Sequence, residues 1–173
     1  MDPGIAAVFG AAVGVVGSTL AAAVAGFSAQ RQVRSEHTHW RRQLRRDAYT
    51  AFIAKADEVH RLLAGIEAEL ISPEVRFELV RDEIDRVKAT LQEDLAAAQA
   101  TVEIEGPEKL AGTAEELTRS LSACIAAIRA RTIGRESGNP ISQLDAQRVR
   151  RFLNHALTKR KRFVEQARTA IDV

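Results

Sequence analysis

The first thirty residues constrain this chain more than any other feature, because the run from Pro3 to Gln30 contains no charged side chain. About 20 apolar residues, at roughly 1.5 Å of rise each, are enough for one helix to cross the hydrocarbon core of a bilayer. Arg31 and Arg34 follow the run at once. We therefore predict a transmembrane anchor over residues 1–30, followed by a single folded domain over residues 31–173.

Two other interpretations of this segment stay open. A secretory signal peptide would be cleaved after Ala23-Val24-Ala25, and the mature protein would then be secreted. Such peptides begin with basic residues, however, whereas the only charge before Arg31 is Asp2. A buried soluble helix is the other alternative, because many residues of the run are alanines, which are only weakly apolar. Hydropathy and length favour the uncleaved span.

The charges that flank the run predict its orientation. Between residues 31 and 46 there are six arginines and one acid, Glu36, while no basic residue precedes the run. The positive-inside rule then places the N-terminus outside and the folded domain in the cytoplasm. Basic residues near an anionic membrane surface each contribute about 1 kcal/mol of attraction, so lipid headgroups are expected partners. These membrane-proximal residues are Arg31, Arg34, Arg41, Arg42, Arg45 and Arg46.

Small residues recur every four positions inside the predicted span. Such a row lets two helix backbones approach closely in lipid, where association depends on packing. The row therefore predicts a helix-association face and a homo-oligomer. The alternative is that a span rich in alanine and glycine produces this spacing by chance. The face consists of Gly10, Gly14, Ser18, Ala22 and Gly26.

Composition and apolar spacing predict an all-α fold after the anchor. The chain has only ten glycines and four prolines, and its single cysteine, Cys124, excludes internal disulfides and reads as a buried, inert thiol. Apolar residues recur with helical periodicity in four segments, for which an up-down bundle is the natural arrangement. The anchor is expected to continue into the first helix without a break. The predicted helices span about 31–71, 73–103, 107–133 and 140–171.

Individual residues within these segments have expected positions. The second segment has the clearest apolar stripe, spaced alternately by three and four residues. Trp40 is expected to pack at one end of the bundle, and Ser72 with Pro73 to end the first helix and cap the second. The stripe of the second segment comprises Phe77, Val80, Ile84, Val87, Leu91, Leu95, Ala98 and Val102.

Charge is distributed unevenly along the predicted bundle. Residues 47–118 hold 17 acids and 7 bases, a net charge of −10, whereas residues 119–173 hold 12 bases and 4 acids, a net charge of +8. The preferred explanation is partial cancellation between neighbouring helices through weak exposed pairs. A basic patch that binds the phosphates of nucleic acid is the disfavoured alternative. That patch would comprise Arg148, Arg150, Arg151, Lys159, Arg160, Lys161 and Arg162.

No motif in the sequence indicates catalysis, a metal site, a cofactor or a small-molecule substrate. Glu36 and His39, like Asp57 and His60, have the carboxylate-x-x-His spacing of di-iron bundles. Those sites need facing motifs on different helices, whereas both of these lie on the first predicted helix. We therefore expect a protein that is not an enzyme.

The run His39-Trp40-Arg41-Arg42, followed by Arg45 to Phe52 and placed just after an alanine-rich span, resembles single-span membrane proteins of actinobacterial type. The segment Val102 to Pro107 is similar to the hinge before their third helix. The resemblance implies an anchored cytoplasmic helical bundle and no activity.

Together these features favour a membrane-anchored scaffold that self-associates or recruits an unknown protein partner. Its partner surface is expected on the acidic second helix or on the basic end of the fourth, which hold the largest fields of one sign. A membrane-active protein whose glycine-rich span forms a pore or disturbs the bilayer is the main alternative. Nucleic-acid binding by the C-terminal helix is the further one.

Overall fold

The computed structural model describes residues 39–72, 74–138 and 143–171, and these three stretches are all-helical, without a strand. A π-helical turn, Leu91–Leu95, joins two of the elements without a break. The described chain therefore forms four helices, which confirms the predicted all-α class. The elements are α1 over 39–71, α2 over Phe77–Thr90, α3 over Ala96–Glu105, α4 over Glu108–Glu136 and α5 over Gln143–Ile171.

The continuous α2–α3 helix buries one stripe of side chains, as the apolar spacing predicts. Five of its residues are buried, and Leu91 and Ala98 pack partly against the same core. The π-helical turn lies where the spacing changes from alternating threes and fours to two successive fours. The buried members are Val80, Ile84, Val87, Leu95 and Val102.

The connection between α1 and α2 differs from the prediction. Helix α2 begins only at Phe77, and Arg76, which precedes it, makes no side-chain capping bond. The expectation that Ser72 caps the second helix is therefore wrong. Instead, Arg135 of α4 caps the end of α1, since its Nη2 donates to the backbone carbonyl of Ser72 at 2.8 Å and its Nη1 to that of Leu70. The last carbonyls of a helix lack intrahelical partners, and a cation there is favoured by the helix dipole.

Helix α1 runs antiparallel to the α2–α3 helix. Early in α1, the Arg45 Nε donates to the backbone carbonyl of Glu105, at the end of α3, at 3.0 Å. Further along α1, the Lys55 Nζ lies 2.8 Å from an Asp94 carboxylate oxygen, in the π-helical turn. Arg45 thus caps α3 in the same way that Arg135 caps α1.

Helix α5 runs antiparallel to both α4 and α1. The Thr113 hydroxyl of α4 donates to the Gln166 Oε1 of α5 at 2.7 Å, and near the middle of α1, Asp57 pairs with Arg160. Helix α4 packs against both α5 and the α2–α3 helix. Within the described chain, α2–α3 and α5 do not contact each other. They therefore lie on opposite sides of the bundle, separated by α1 and α4.

Aromatic residues of α1 meet α5 in the core. The ring centroids of Phe52 and Phe163 lie 4.9 Å apart, and Tyr49 meets Phe163 edge to face at 6.2 Å. Helix α4 has ten buried residues, more than any other helix over its described residues. Its buried residues include members that the apolar stripe did not identify: Thr113, Ser120, Arg131 and Thr132.

Trp40 lies before the compact unit that begins at Leu44, and 60% of its surface is exposed. The expectation that it packs at one end of the bundle is therefore wrong. Among the described residues, no helix combines the length and the apolar character that crossing a membrane requires. The predicted anchor, residues 1–30, lies outside the described residues.

Candidate functional site

The outer side of the α2–α3 helix is acidic. The helix holds eight acids and three bases, a net charge of −5. Six of the acids are exposed, and four of these six have no hydrogen bond or ion pair within the described chain. Exposed alanines, including Ala89 and Ala96, lie among them. We call this surface the acidic face, defined by Glu78, Asp82, Asp85 and Glu93.

The outer side of α5 is basic. The helix holds eight bases and two acids, a net charge of +6. Five of the bases are exposed and make no ion pair with any residue that the structure describes. Leu157, which is 38% exposed, lies between them along the helix. We call this surface the basic face, defined by Arg148, Arg150, Arg151, Lys161 and Arg168.

The structure divides the basic patch that the sequence predicts on α5. The Lys159 Nζ lies 2.8 Å from a Glu116 carboxylate oxygen of α4, and Arg162 approaches the same oxygen at 3.7 Å. Arg160 forms a two-bond pair with Asp57 of α1, in which its Nη2 donates at 2.7 Å. These three bases thus neutralise acids of neighbouring helices.

The pKa values of two of these groups shift in the direction expected for such pairs. The hydrogen bond from Lys159, together with its positive charge, lowers the pKa of the Glu116 carboxyl. The hydrogen bond to Asp57 raises the pKa of Arg160. The cancellation inferred from the sequence therefore holds for this part of α5, and the rest of the patch stays exposed.

The membrane-proximal arginines have different surroundings. Arg45 is half-buried and caps α3, so its role in the bundle is structural. Arg41, Arg42 and Arg46 are exposed. Arg31, Arg34 and the whole predicted association face from Gly10 to Gly26 lie outside the described residues.

A cavity of about 480 Å³ opens at the hinge between α3 and α4. The sequence did not identify it, because it is formed only when the hinge meets the start of α1 and the end of α5. Its volume is typical of small-ligand pockets. Its lining includes Arg45, Pro107, Lys109, Leu110 and Ala170.

Cys124 is fully buried in α4. Burial, with a smaller contribution from the negative charge of Glu67, raises the pKa of its thiol to about 12. A thiol is a nucleophile only as a thiolate, so this cysteine is inert at neutral pH. Across 39–72, 74–138 and 143–171, no group of three or more His, Cys, Asp or Glu side chains is arranged to hold a metal ion.

Comparisons of the chain with protein-family models, with curated proteins and with solved structures found no match.

Proposed function

We propose that this protein is a membrane-anchored, non-enzymatic scaffold whose cytoplasmic helical bundle binds proteins through its charged outer faces. The observation that carries the proposal is the presence of an acidic face and a basic face on opposite sides of one bundle. Charges left unpaired within a molecule set up fields that attract a complementary surface and speed its association.

The anchor is the second element of the proposal. Its support is the uncharged run from Pro3 to Gln30 and the arginines that follow, which also favour a cytoplasmic bundle.

Membrane fractionation of the full chain tests the anchor. We expect the wild-type protein to sediment with membranes and to resist extraction by carbonate. Val16→Arg with Leu20→Arg places two charges in the predicted span, each costing about 3 kcal/mol near the bilayer centre, and should release the protein. Val16→Ile with Leu20→Ile is the matched control and should stay membrane-bound. Wild-type protein in the soluble fraction would refute the anchor.

Crosslinking in native membranes tests the scaffold. Chemical crosslinking, purification and mass spectrometry identify the proteins held by the full chain. A variant with Asp82→Asn, Asp85→Asn and Glu93→Gln neutralises most of the acidic face and should lose these proteins. A control with Glu74→Gln and Glu115→Gln removes exposed acids elsewhere and should keep them. The same crosslinked proteins in wild type and face variant would show that the acidic face binds no partner.

A further inference from the structure

We infer that the acidic face of one chain binds the basic face of a second copy of the same chain, side by side and in the same orientation. This inference rests on the proposed scaffold function and names its partner. Three properties of the bundle support it. The two faces lie on opposite sides, the helices that carry them run in the same direction, and their charges lie at matching heights, meaning positions along the bundle axis.

The positions of the two faces allow the same contact to repeat from one chain to the next. Because the α2–α3 helix and α5 lie on opposite sides of the bundle, a chain that offers its acidic face to one neighbour still exposes its basic face to another. Contacts between two different surfaces are heterologous, and they build open rows unless rotation closes them into a ring. In addition, both helices run antiparallel to α1, so they run in the same direction. When two copies lie side by side in the same orientation, the two contacting helices therefore run parallel.

The mid-bundle charges of the two faces lie at the same height. Asp94 pairs with Lys55 and Arg160 pairs with Asp57, two residues further along α1, a difference of about 3 Å along the axis. Glu93 and Lys161, the neighbours of Asp94 and Arg160 in their helices, are therefore nearly level. In side-by-side copies they face each other.

The charges nearer the start of each helix also match. Asp85 and Asp82 precede Glu93 by 8 and 11 residues, or about 12 and 17 Å. Arg151 and Arg148 precede Lys161 by 10 and 13 residues, or about 15 and 20 Å. The two acids thus lie opposite the two bases to within about one helical turn.

Each of the two helices also has an exposed apolar side chain at a matching height. Leu157 of α5 precedes Lys161 by four residues, and Ala89 of α2 precedes Glu93 by four, so both lie about 6 Å from the level charges in the same direction. Both are exposed. The small side chain of Ala89 lets a neighbouring helix approach closely, while the surrounding charges set the register.

Site-directed crosslinking of the full chain in membranes tests this contact. Ala89→Cys lies within the acidic face, and Asn154→Cys within the basic face, at exposed positions whose heights differ by about 5 Å. Cys124 is buried and gives no background. Co-expressed Ala89→Cys and Asn154→Cys chains with different tags should form a mixed disulfide dimer on mild oxidation. One chain that carries both cysteines should form a ladder beyond dimers.

The matched control replaces Ala89→Cys by Ala126→Cys, an exposed alanine of α4 outside both faces. The Ala89–Asn154 combination should exceed this control severalfold. The same excess of crosslinking is expected when the chains also carry Gly14→Ile, which disrupts the predicted association face of the anchor. Crosslinking no greater than the control would overturn the inference.

Charge reversal separates a second copy from another partner. Asp82→Lys, Asp85→Lys and Glu93→Lys together should abolish the crosslink. The combination of Arg148→Glu, Arg151→Glu and Lys161→Glu should abolish it as well. Both sets in one chain should restore it, because the reversed faces are again complementary. Loss without restoration would overturn self-binding. If other proteins were still captured through the acidic face, the scaffold function itself would stand.

Discussion

Glu67 of α1 and Arg131 of α4 form an ion pair inside the core, with side chains only 6% and 5% exposed. The pair joins α1 and α4, which run in the same direction. Its hydrogen bonding is incomplete, since the Glu67 Oε1 and the Arg131 Nε and Nη2 are buried without partners in the described part of the chain. The desolvation cost of two buried charges offsets much of their attraction, so an intact pair of this kind adds little net stability.

Breaking this pair from one side should destabilise the bundle severely. Glu67→Leu or Arg131→Met alone leaves a buried charge unpaired, which costs about 3–5 kcal/mol. Glu67→Leu with Arg131→Met removes both charges, and its stability should return close to that of the wild type. The measurement is urea denaturation of the full chain in mild detergent, with loss of helix monitored by circular dichroism. Single variants that unfold at the wild-type midpoint would contradict the prediction.

Cys124 should resist thiol reagents in the folded protein. Its thiol is buried and its pKa is raised to about 12, so almost no thiolate is present at pH 8. Labelling with a maleimide at pH 8 should be slow in the native state and rapid in denaturant. Rapid labelling of the native chain would show that the helix α4 core opens readily.

The same thiol should make stability depend on pH above 9. The folded pKa is raised from an ordinary value of 9.0, so between pH 9 and 12 the unfolded chain loses a proton that the folded chain keeps. Unfolding therefore becomes easier as pH rises through this window, by up to about 1.4 kcal/mol per pH unit, and is unaffected below it. Cys124→Ala is the control, because other groups titrate equally in both chains. A pH dependence unchanged in Cys124→Ala would contradict the assignment.

Replacement by alanine should have opposite effects on stability at two glycines. A Cβ on Gly106, at the hinge, would lie 2.7 Å from the Val102 carbonyl oxygen and 3.2 Å from the Tyr49 hydroxyl. Gly106→Ala should therefore cost about 1–3 kcal/mol through overpacking. Gly112→Ala, inside α4 with nothing within 4 Å of the added Cβ, should gain about 0.5–1 kcal/mol of stability. Thermal melting of the two variants compares them directly; equal melting temperatures would contradict the close contact at the hinge.

Removal of the Tyr49 hydroxyl should not weaken the protein. This hydroxyl is buried without a hydrogen-bond partner in the described chain, and burial raises its pKa. An unpartnered buried polar group costs about 1–3 kcal/mol, which Tyr49→Phe would recover while keeping the ring against Phe163. We expect equal or higher stability in denaturation. A large loss would reveal a partner for the hydroxyl outside the described residues.

The four helices can be predicted from the amino-acid sequence, because helix formation and the burial of one apolar stripe depend on local periodicity. The stripe from Val80 to Val102 is an example, and it is buried as its spacing predicts. The burial of Cys124 was likewise predictable from its apolar neighbours. The proposed anchor likewise rests on a local pattern, the uncharged segment before Arg31.

Which charges pair depends on how the helices pack, because the ion pairs between helices join residues far apart in sequence. Arg160 and Asp57 are 103 positions apart, and Arg131 and Glu67 are 64 apart. Bases in one run of α5 therefore separate into those bonded to neighbouring helices and those left on the basic face. The helix packing also places that face opposite the acidic one, a relationship that no local pattern specifies, since it depends on which helices lie between them.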